Sequence, residues 1–230
     1  MKLYENQLLG AFIYALGYEC GTMGKNNVAA NLFQQTPLDG TFGDLVAGAD
    51  WCVALEFKRD WSEARSERAK WSEPQVSGFL NDIEMNKVAR RAHFLCFGDH
   101  AKEGVVISVI RYDQALMHQE LKDIQRFDSE SLVRFLVHSA GQPPGQVKIG
   151  VPPSVLEGYL RKVAKIRQIK GGGGRQAEWL AIASSSEGYK IRCADSLEQL
   201  IELTRERAHE LKNTAFRERD RDADREMERD

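Results

Sequence analysis

No Gly-x-Ser-x-Gly elbow and no His-Glu-x-x-His pair occur in the 230 residues, so serine-esterase and zinc-protease chemistry have no anchor. A Gly-x-Gly-x-x-Gly dinucleotide fingerprint is also missing. The nearest approach to a phosphate loop, Gly21-Thr-Met-Gly-Lys25, has Glu19 where the first glycine is needed and Asn26 where a hydroxyl should follow the lysine. Cys20, Cys52, Cys96 and Cys193 form no Cys-x-x-Cys pair, which argues against a zinc knuckle or a disulfide framework. His93, His100, His118, His138 and His209 show no metal-ligand spacing. There is no run of eighteen apolar residues, and Leu8–Leu16 is too short to span a bilayer. The N-terminus has no charged-then-apolar leader, so the expected location is cytoplasmic, with no membrane partner.

What is present describes a globular chain able to bury a core, with 42% hydrophobic and 29% charged residues. The formal net charge of −2 is unhelpful for binding nucleic acid, which depends on Lys and Arg, but the charge is uneven. Residues 161–175 carry six basic side chains and no acid, whereas Arg217–Asp230 holds seven acids against five arginines. Local charge thus mildly favours a nucleic-acid partner.

The most informative stretch is Gly43–Lys58, read as two strands and a tight turn. Trp51–Lys58 is β-branched and aromatic-rich and suits a half-buried strand. At a period of two, Ala54, Glu56 and Lys58 share one face while Val53, Leu55 and Phe57 fill the other. A loop centred on Ala49 sets Asp44 opposite Ala54 and makes Asp44 and Glu56 diagonal neighbours on one face, roughly 7 Å apart. A two-residue turn would put them on opposite faces, so an odd-length loop is expected.

Two converging carboxylates repel unless a cation lies between them. Oxygen-only ligands suit a hard ion, and Mg²⁺ bridges carboxylates to phosphate while keeping several waters. With Lys58 to hold a phosphate oxygen or orient water, the set fits metal-assisted phosphodiester hydrolysis. The plain alternative is solvated charge on an edge hairpin, where ion pairs contribute little.

These residues resemble the PD-(D/E)XK nuclease superfamily: Gly43-Asp44, then eleven residues, then Glu56-Phe57-Lys58. Gly43 stands where the superfamily name has proline. The resemblance covers about residues 1–112 and implies an α/β, restriction-endonuclease-like mixed β-sheet flanked by helices. It further implies a Mg²⁺-dependent endodeoxyribonuclease, with Mn²⁺ able to substitute. Asp44, Glu56 and the Phe57 carbonyl would bind the metal and Lys58 would position water or a non-bridging oxygen. Glu5, in the first turn of the leading helix, would add an acid, with Glu19 as second choice. Otherwise Glu5 only favours the helix dipole, a matter of ~0.3–1 kcal/mol. Gln75, near a later helix start, is a further candidate.

Along the chain, apolar spacing predicts helices over residues 4–17 and 74–92, the latter with Val76, Phe79, Leu80, Ile83 and Val88 inward. A short helix is expected over 27–35, and strands over His93–Phe97 and Val105–Ile110, separated by a loop. Two more helical patterns cover Asp113–Ile124 and Ser129–Ser139. His93 and Cys96 read as packed core residues rather than ligands. Between Arg59 and Ser72, Arg59, Arg65, Arg68 and Lys70 could touch a nucleic-acid backbone, but Glu63, Glu67 and Glu73 offset them, so a solvated face is expected. Trp61 and Trp71 read as core caps before base-stacking platforms. Asn86, Lys87, Arg90 and Arg91 form a polar cluster that would grip phosphates or sit in water.

The division expected is a nuclease-like core over 1–140, a smaller mostly helical α+β region over 141–215 and a charged tail over 216–230. The region 141–215 includes a basic helix over 154–169, the Gly171–Gly174 run, a small hairpin, and a helix opened by Asp195-Ser-Leu-Glu198. The function expected is DNA endonuclease. The alternative is a nuclease-fold subunit that binds nucleic acid or protein without cutting, in a defence, repair or transposition assembly. A scaffold without nucleic acid is the third. Double-strand cutting would call for a homodimer or a protein partner. An ion pair from Lys58 closing the site would favour the binding subunit.

Overall fold

The computed structural model describes residues 4–24, 28–32, 43–48, 51–101, 104–117, 120, 126–138, 149–167, 179–185, 188–194, 196–200 and 202. Lys25, residues 37–40 and 141–145, Gly171–Gly174, Asp195 and the tail lie outside them. Within them the chain is α/β, with a mixed sheet flanked by helices.

Helix α1 (Glu5–Thr22) buries Leu8, Leu9, Phe12 and Leu16 along one stripe. It leads into β1 (Ala29–Leu32), β2 (Leu45–Gly48) and β3 (Cys52–Lys58), an antiparallel meander. The chain then crosses over through α2 (Trp61–Ser66), a 3₁₀ helix (Glu67–Lys70), α3 (Glu73–Asn81) and α4 (Ile83–Ala92). It returns as β4 (His93–Ala101), parallel to β3 from Ala54↔His93 to Lys58↔Phe97. Strand β5 (Gly104–Arg111) pairs antiparallel with β4, and the two-residue β6 (Phe127–Asp128) completes the order β1-β2-β3-β4-β5-β6. Helices α5 (Tyr112–Met117), α6 (Ser129–His138) and α7 (Pro153–Ile166) follow. Strands β7 (Trp179–Ser185) and β8 (Gly188–Ala194) form a separate two-stranded sheet.

Residues of alternating parity on β3 enter different cores. Val53, Leu55 and Phe57 pack with α1 and with Leu132, Val133, Leu136 and Val137 of α6. Cys52 and Ala54 pack with Trp71, Phe79, Met85 and Ala89 of the crossover and with Leu156, Tyr159 and Leu160 of α7. The strand is therefore enclosed on both sides rather than half-buried, because helices cover both faces, as is usual around a parallel strand pair. That enclosure is what takes Glu56 and Lys58 out of bulk water.

Three further expectations change. Residues 29–32, expected to be helical, form β1, since pairing with β2 outweighs the local alanine preference. The single helix over 74–92 is broken at Asp82, which ends α3 and, with ψ 103°, caps α4 by accepting from the Met85 N–H at 3.0 Å. The break rotates Ile83 outward, to 69% exposed, and brings Met85, Ala89 and Ala92 inward instead. The loop expected after Phe97 is largely strand, continuing to Ala101 and resuming at Gly104. Of Asp113–Ile124, the structure describes a helix only to Met117. Of the helix begun near Asp195, Ser196 caps the start, its Oγ 3.1 Å from the Gln199 N–H. No described helix is long and apolar enough to cross a membrane.

His93 is a packed core residue. Its ring stacks on Tyr112 at 3.8 Å and 9°, and Nδ1 lies 2.8 Å from the Tyr159 hydroxyl. Burial pushes its pKa down from 6.5 to about 3. The folded state thus keeps His93 neutral while the unfolded chain takes up a proton below 6.5. Its contribution to stability is intact above pH 6.5 and lost as pH falls toward 3, at up to about 1.4 kcal/mol per unit. Urea titrations from pH 7 to 5 should show His93→Leu less stable than wild type at pH 7 but with a flatter pH dependence. Parallel curves would contradict this.

Candidate functional site

The β2–β3 register runs from Gly48↔Cys52 to Leu45↔Leu55, so the hairpin loop has an odd length but is centred on residue 50, not 49. Gly48 explains the shift: at φ +146° it accepts an approach in which an added Cβ would meet the Trp51 carbonyl oxygen at 2.2 Å. Extending the pairing past Leu45↔Leu55 brings Asp44 beside Glu56 rather than diagonal to it. The ladder ends there. The Asp44 N–H donates to the Leu55 carbonyl at 3.1 Å, and its carboxylate accepts from the Phe57 N–H at 2.5 Å. Asp44, 4% exposed, is thereby fixed against the β3 backbone.

Gly43 stands beside these groups with φ +73°, a conformation proline cannot adopt. A Cβ here would lie 3.2 Å from Glu56 Oε2, so glycine also leaves room for that carboxylate. On its other oxygen, Glu56 Oε1 accepts from Lys58 Nζ at 2.8 Å, and the same ammonium donates to the Phe57 carbonyl at 2.9 Å. Burial raises the Glu56 pKa despite the attraction of Lys58. For Lys58, burial would lower the pKa, but Glu56, then Glu67 and Asp44, outweigh it and raise it. Lys58 is therefore a firmly protonated cation in this state.

A residue not anticipated from the sequence completes the group. Glu67, on the 3₁₀ helix, is fully buried. Its Oε1 accepts from the Tyr112 hydroxyl at 3.0 Å and lies 3.7 Å from Arg167 Nη1. Oε2 forms an ion pair with Lys70 Nζ at 2.6 Å. Burial acts to raise the Glu67 pKa, but Lys70, Lys58 and Arg167 prevail and lower it. Lys70 Nζ is also 3.9 Å from Glu56 Oε1. The readable signal was the stripe Ala64, Glu67, Trp71: an acid at i+3 between two positions that bury at i and i+7.

The other candidates lie elsewhere. Gln75 does not face the carboxylates: its Oε1 accepts from the Ser72 N–H at 2.8 Å and its Nε2 donates to the Ile166 carbonyl at 2.7 Å, so it joins α3 to α7. Glu5 begins α1, which packs on the Val53–Leu55–Phe57 face, and no hydrogen bond or ion pair among the described residues joins it to Asp44, Glu56 or Lys58. Glu19 lies near the far end of the same helix. Burial, with Asp44 and Glu56 nearby, pushes the Cys96 thiol up, so it stays protonated. Trp71 is buried, its Nε1 donating to the Tyr112 hydroxyl at 3.2 Å, and Trp61 packs on Phe97. The cluster on α4 is paired locally: Lys87 with Glu84 on the surface, the half-exposed Arg90 with Asp113, and Arg91 donates to the Gly150 carbonyl. A cleft of about 550 Å³ between α1 and β5, lined by Leu8, Phe12, Val106 and Ile107 among others, shares no residue with the site.

Asp44, Glu56 and the Phe57 carbonyl offer oxygens alone, and Lys58 already uses two of them as a cation seat. The donor chemistry suits a hard ion with the rest of its shell from water or phosphate. Among the described residues no group of three His, Cys, Asp or Glu is arranged to hold a metal, so the protein would supply few ligands. No protein-family model, curated protein or solved structure matches the chain.

Proposed function

We propose that the chain is a metal-dependent nuclease of the PD-(D/E)XK type, hydrolysing phosphodiester bonds in DNA. The observation that carries this is the meeting of Asp44, Glu56 and Lys58 at one end of β2–β3, with Asp44 held against the Phe57 N–H. The order of elements supports it: a helix, an antiparallel three-strand meander, a helical crossover and a parallel fourth strand. A nuclease of this type would be built on an α-β-β-β-α-β core, and this order of elements favours one.

In this reading Asp44, Glu56 and the Phe57 carbonyl hold Mg²⁺ or Mn²⁺. A bound ion supplies Lewis-acid polarisation of the phosphoryl group and activates water. Asp44 is held by the Phe57 N–H, so its carboxylate is placed without further rotamer cost. Lys58 would place its positive charge beside a water or a non-bridging oxygen. Cutting both strands would need a second copy or a partner, and the expected setting is cytoplasmic.

A second reading has its own support. Lys58 closes on Glu56, the arrangement expected of a subunit that binds nucleic acid without cutting. Incubation with linear, circular and branched DNA in Mg²⁺, Mn²⁺ or EDTA separates the two. Cleavage in both metals and none in EDTA is the expected result. Binding without cleavage in any arm would leave only the second reading.

A further inference from the structure

Lys70 differs from the other cations near the carboxylates in being half exposed. Its side chain is 45% accessible, against 10% for Lys58 and 16% for Arg167. It nevertheless has a fixed address, because its ammonium lies 2.6 Å from the buried Glu67 Oε2 and 3.9 Å from Glu56 Oε1. A long surface lysine ordinarily samples many rotamers, and holding one in place costs entropy. Here a fully buried carboxylate offsets that cost, and Glu67 is itself held by the Tyr112 hydroxyl, which Trp71 Nε1 orients. Lys70 is thus tied through Glu67 to the core, while its side chain as a whole is half exposed beside the site.

Resting on the nuclease reading, we propose that Lys70 is a substrate-binding residue that contacts a nucleic-acid phosphate next to the scissile one, and that Glu67 is the positioning residue that aims it. Of the two lysines near Glu56, Lys70 is the more exposed and so the more available to an anion from solvent. Lys70 also offsets the repulsion between that anion and Glu56. One phosphate neutralised by one lysine releases condensed counterions, so the contact has a signature distinct from folding: the salt dependence of binding.

The test measures the affinity of a fluorescein-labelled linear DNA duplex in EDTA across a KCl series, and KM and kcat for its cleavage in Mg²⁺. Lys70→Ala should reduce the slope of log affinity against log salt by about 0.9, and raise KM more than it lowers kcat. Lys70→Arg, which keeps the charge, should restore the slope. Glu67→Gln, whose amide still accepts from Tyr112, should fold and raise KM. Arg134→Ala, removing an exposed cation on α6, should change neither quantity. A wild-type slope in Lys70→Ala, or an equal loss in Arg134→Ala, overturns the inference while cleavage by the wild type leaves the nuclease reading standing. A wild type that neither binds nor cleaves overturns both.

Discussion

Lys58→Ala is expected to lose Mg²⁺-dependent cleavage by about 10²- to 10³-fold, the usual cost of deleting one preorganised charge-stabilising group. The variant should remain folded. Among the described residues, removing the ammonium leaves Glu56 with only Lys70 at 3.9 Å, and a carboxyl whose pKa burial already raises can take up a proton instead of remaining an unpaired charge. The matching change at Asp44 is best made to asparagine. Asp44→Ala would strand the Phe57 N–H, at a cost of about 1–3 kcal/mol, and so confound chemistry with stability. The asparagine oxygen can still accept that hydrogen bond while the negative charge is gone. Single-turnover cleavage and urea unfolding of Lys58→Ala and Asp44→Asn, side by side, check the expectation. Either purified variant cutting DNA at the wild-type rate in Mg²⁺ would show the site assignment to be wrong.

The largest effect on stability is expected at Glu67. Truncation to alanine removes the shared partner of Lys70, Arg167 and the Tyr112 hydroxyl. Breaking a buried ion pair from one side costs about 3–5 kcal/mol, a large fraction of the usual net stability. Lys70 can swing into water, but Arg167 is mostly covered and stacks over Trp71 at 5.8 Å, so it has less freedom to re-solvate. Glu67→Gln should lose much less, because an acceptor for Tyr112 survives. Urea midpoints of the two variants read the difference directly. Alanine and glutamine variants of equal stability would mean that the carboxylate charge, not the hydroxyl acceptor, carries the effect.

The parity of β3 was legible because a strand repeats every two residues whatever covers it, so Glu56 and Lys58 could be assigned to one face in advance. The sequence did not disclose that helices lie on both sides, since Ala54 and Cys52 suit a covered or an uncovered face equally. The hairpin loop was correctly given an odd length, but its centre moved by one residue because it depends on the backbone at Gly48, which composition does not encode. Strand β1 was missed because Ala29 and Ala30 favour helix locally and only pairing with β2 makes them extended. Asp82 announced a helix start, yet it sat inside an apolar spacing that ran past it. Gln75 occupied a plausible position near a helix start, but the side chain is used to cap its own helix and to reach α7. Glu67 was counted among solvated charges because its neighbours in sequence are charged; its place on the Ala64–Trp71 stripe was the clue.

Lys58 resting on the oxygens of Glu56 and Phe57 has a consequence for how this chain matures. Acid and amine already neutralise one another there, so folding need not wait for a divalent ion, and a chelator should not unfold the protein as it does a zinc finger. If the proposed nuclease site takes up an ion, loading would be an exchange in which a built-in placeholder is evicted. Apparent affinity would be weakened by whatever that eviction costs, and occupancy would follow the surrounding ion concentration instead of saturating at traces of it.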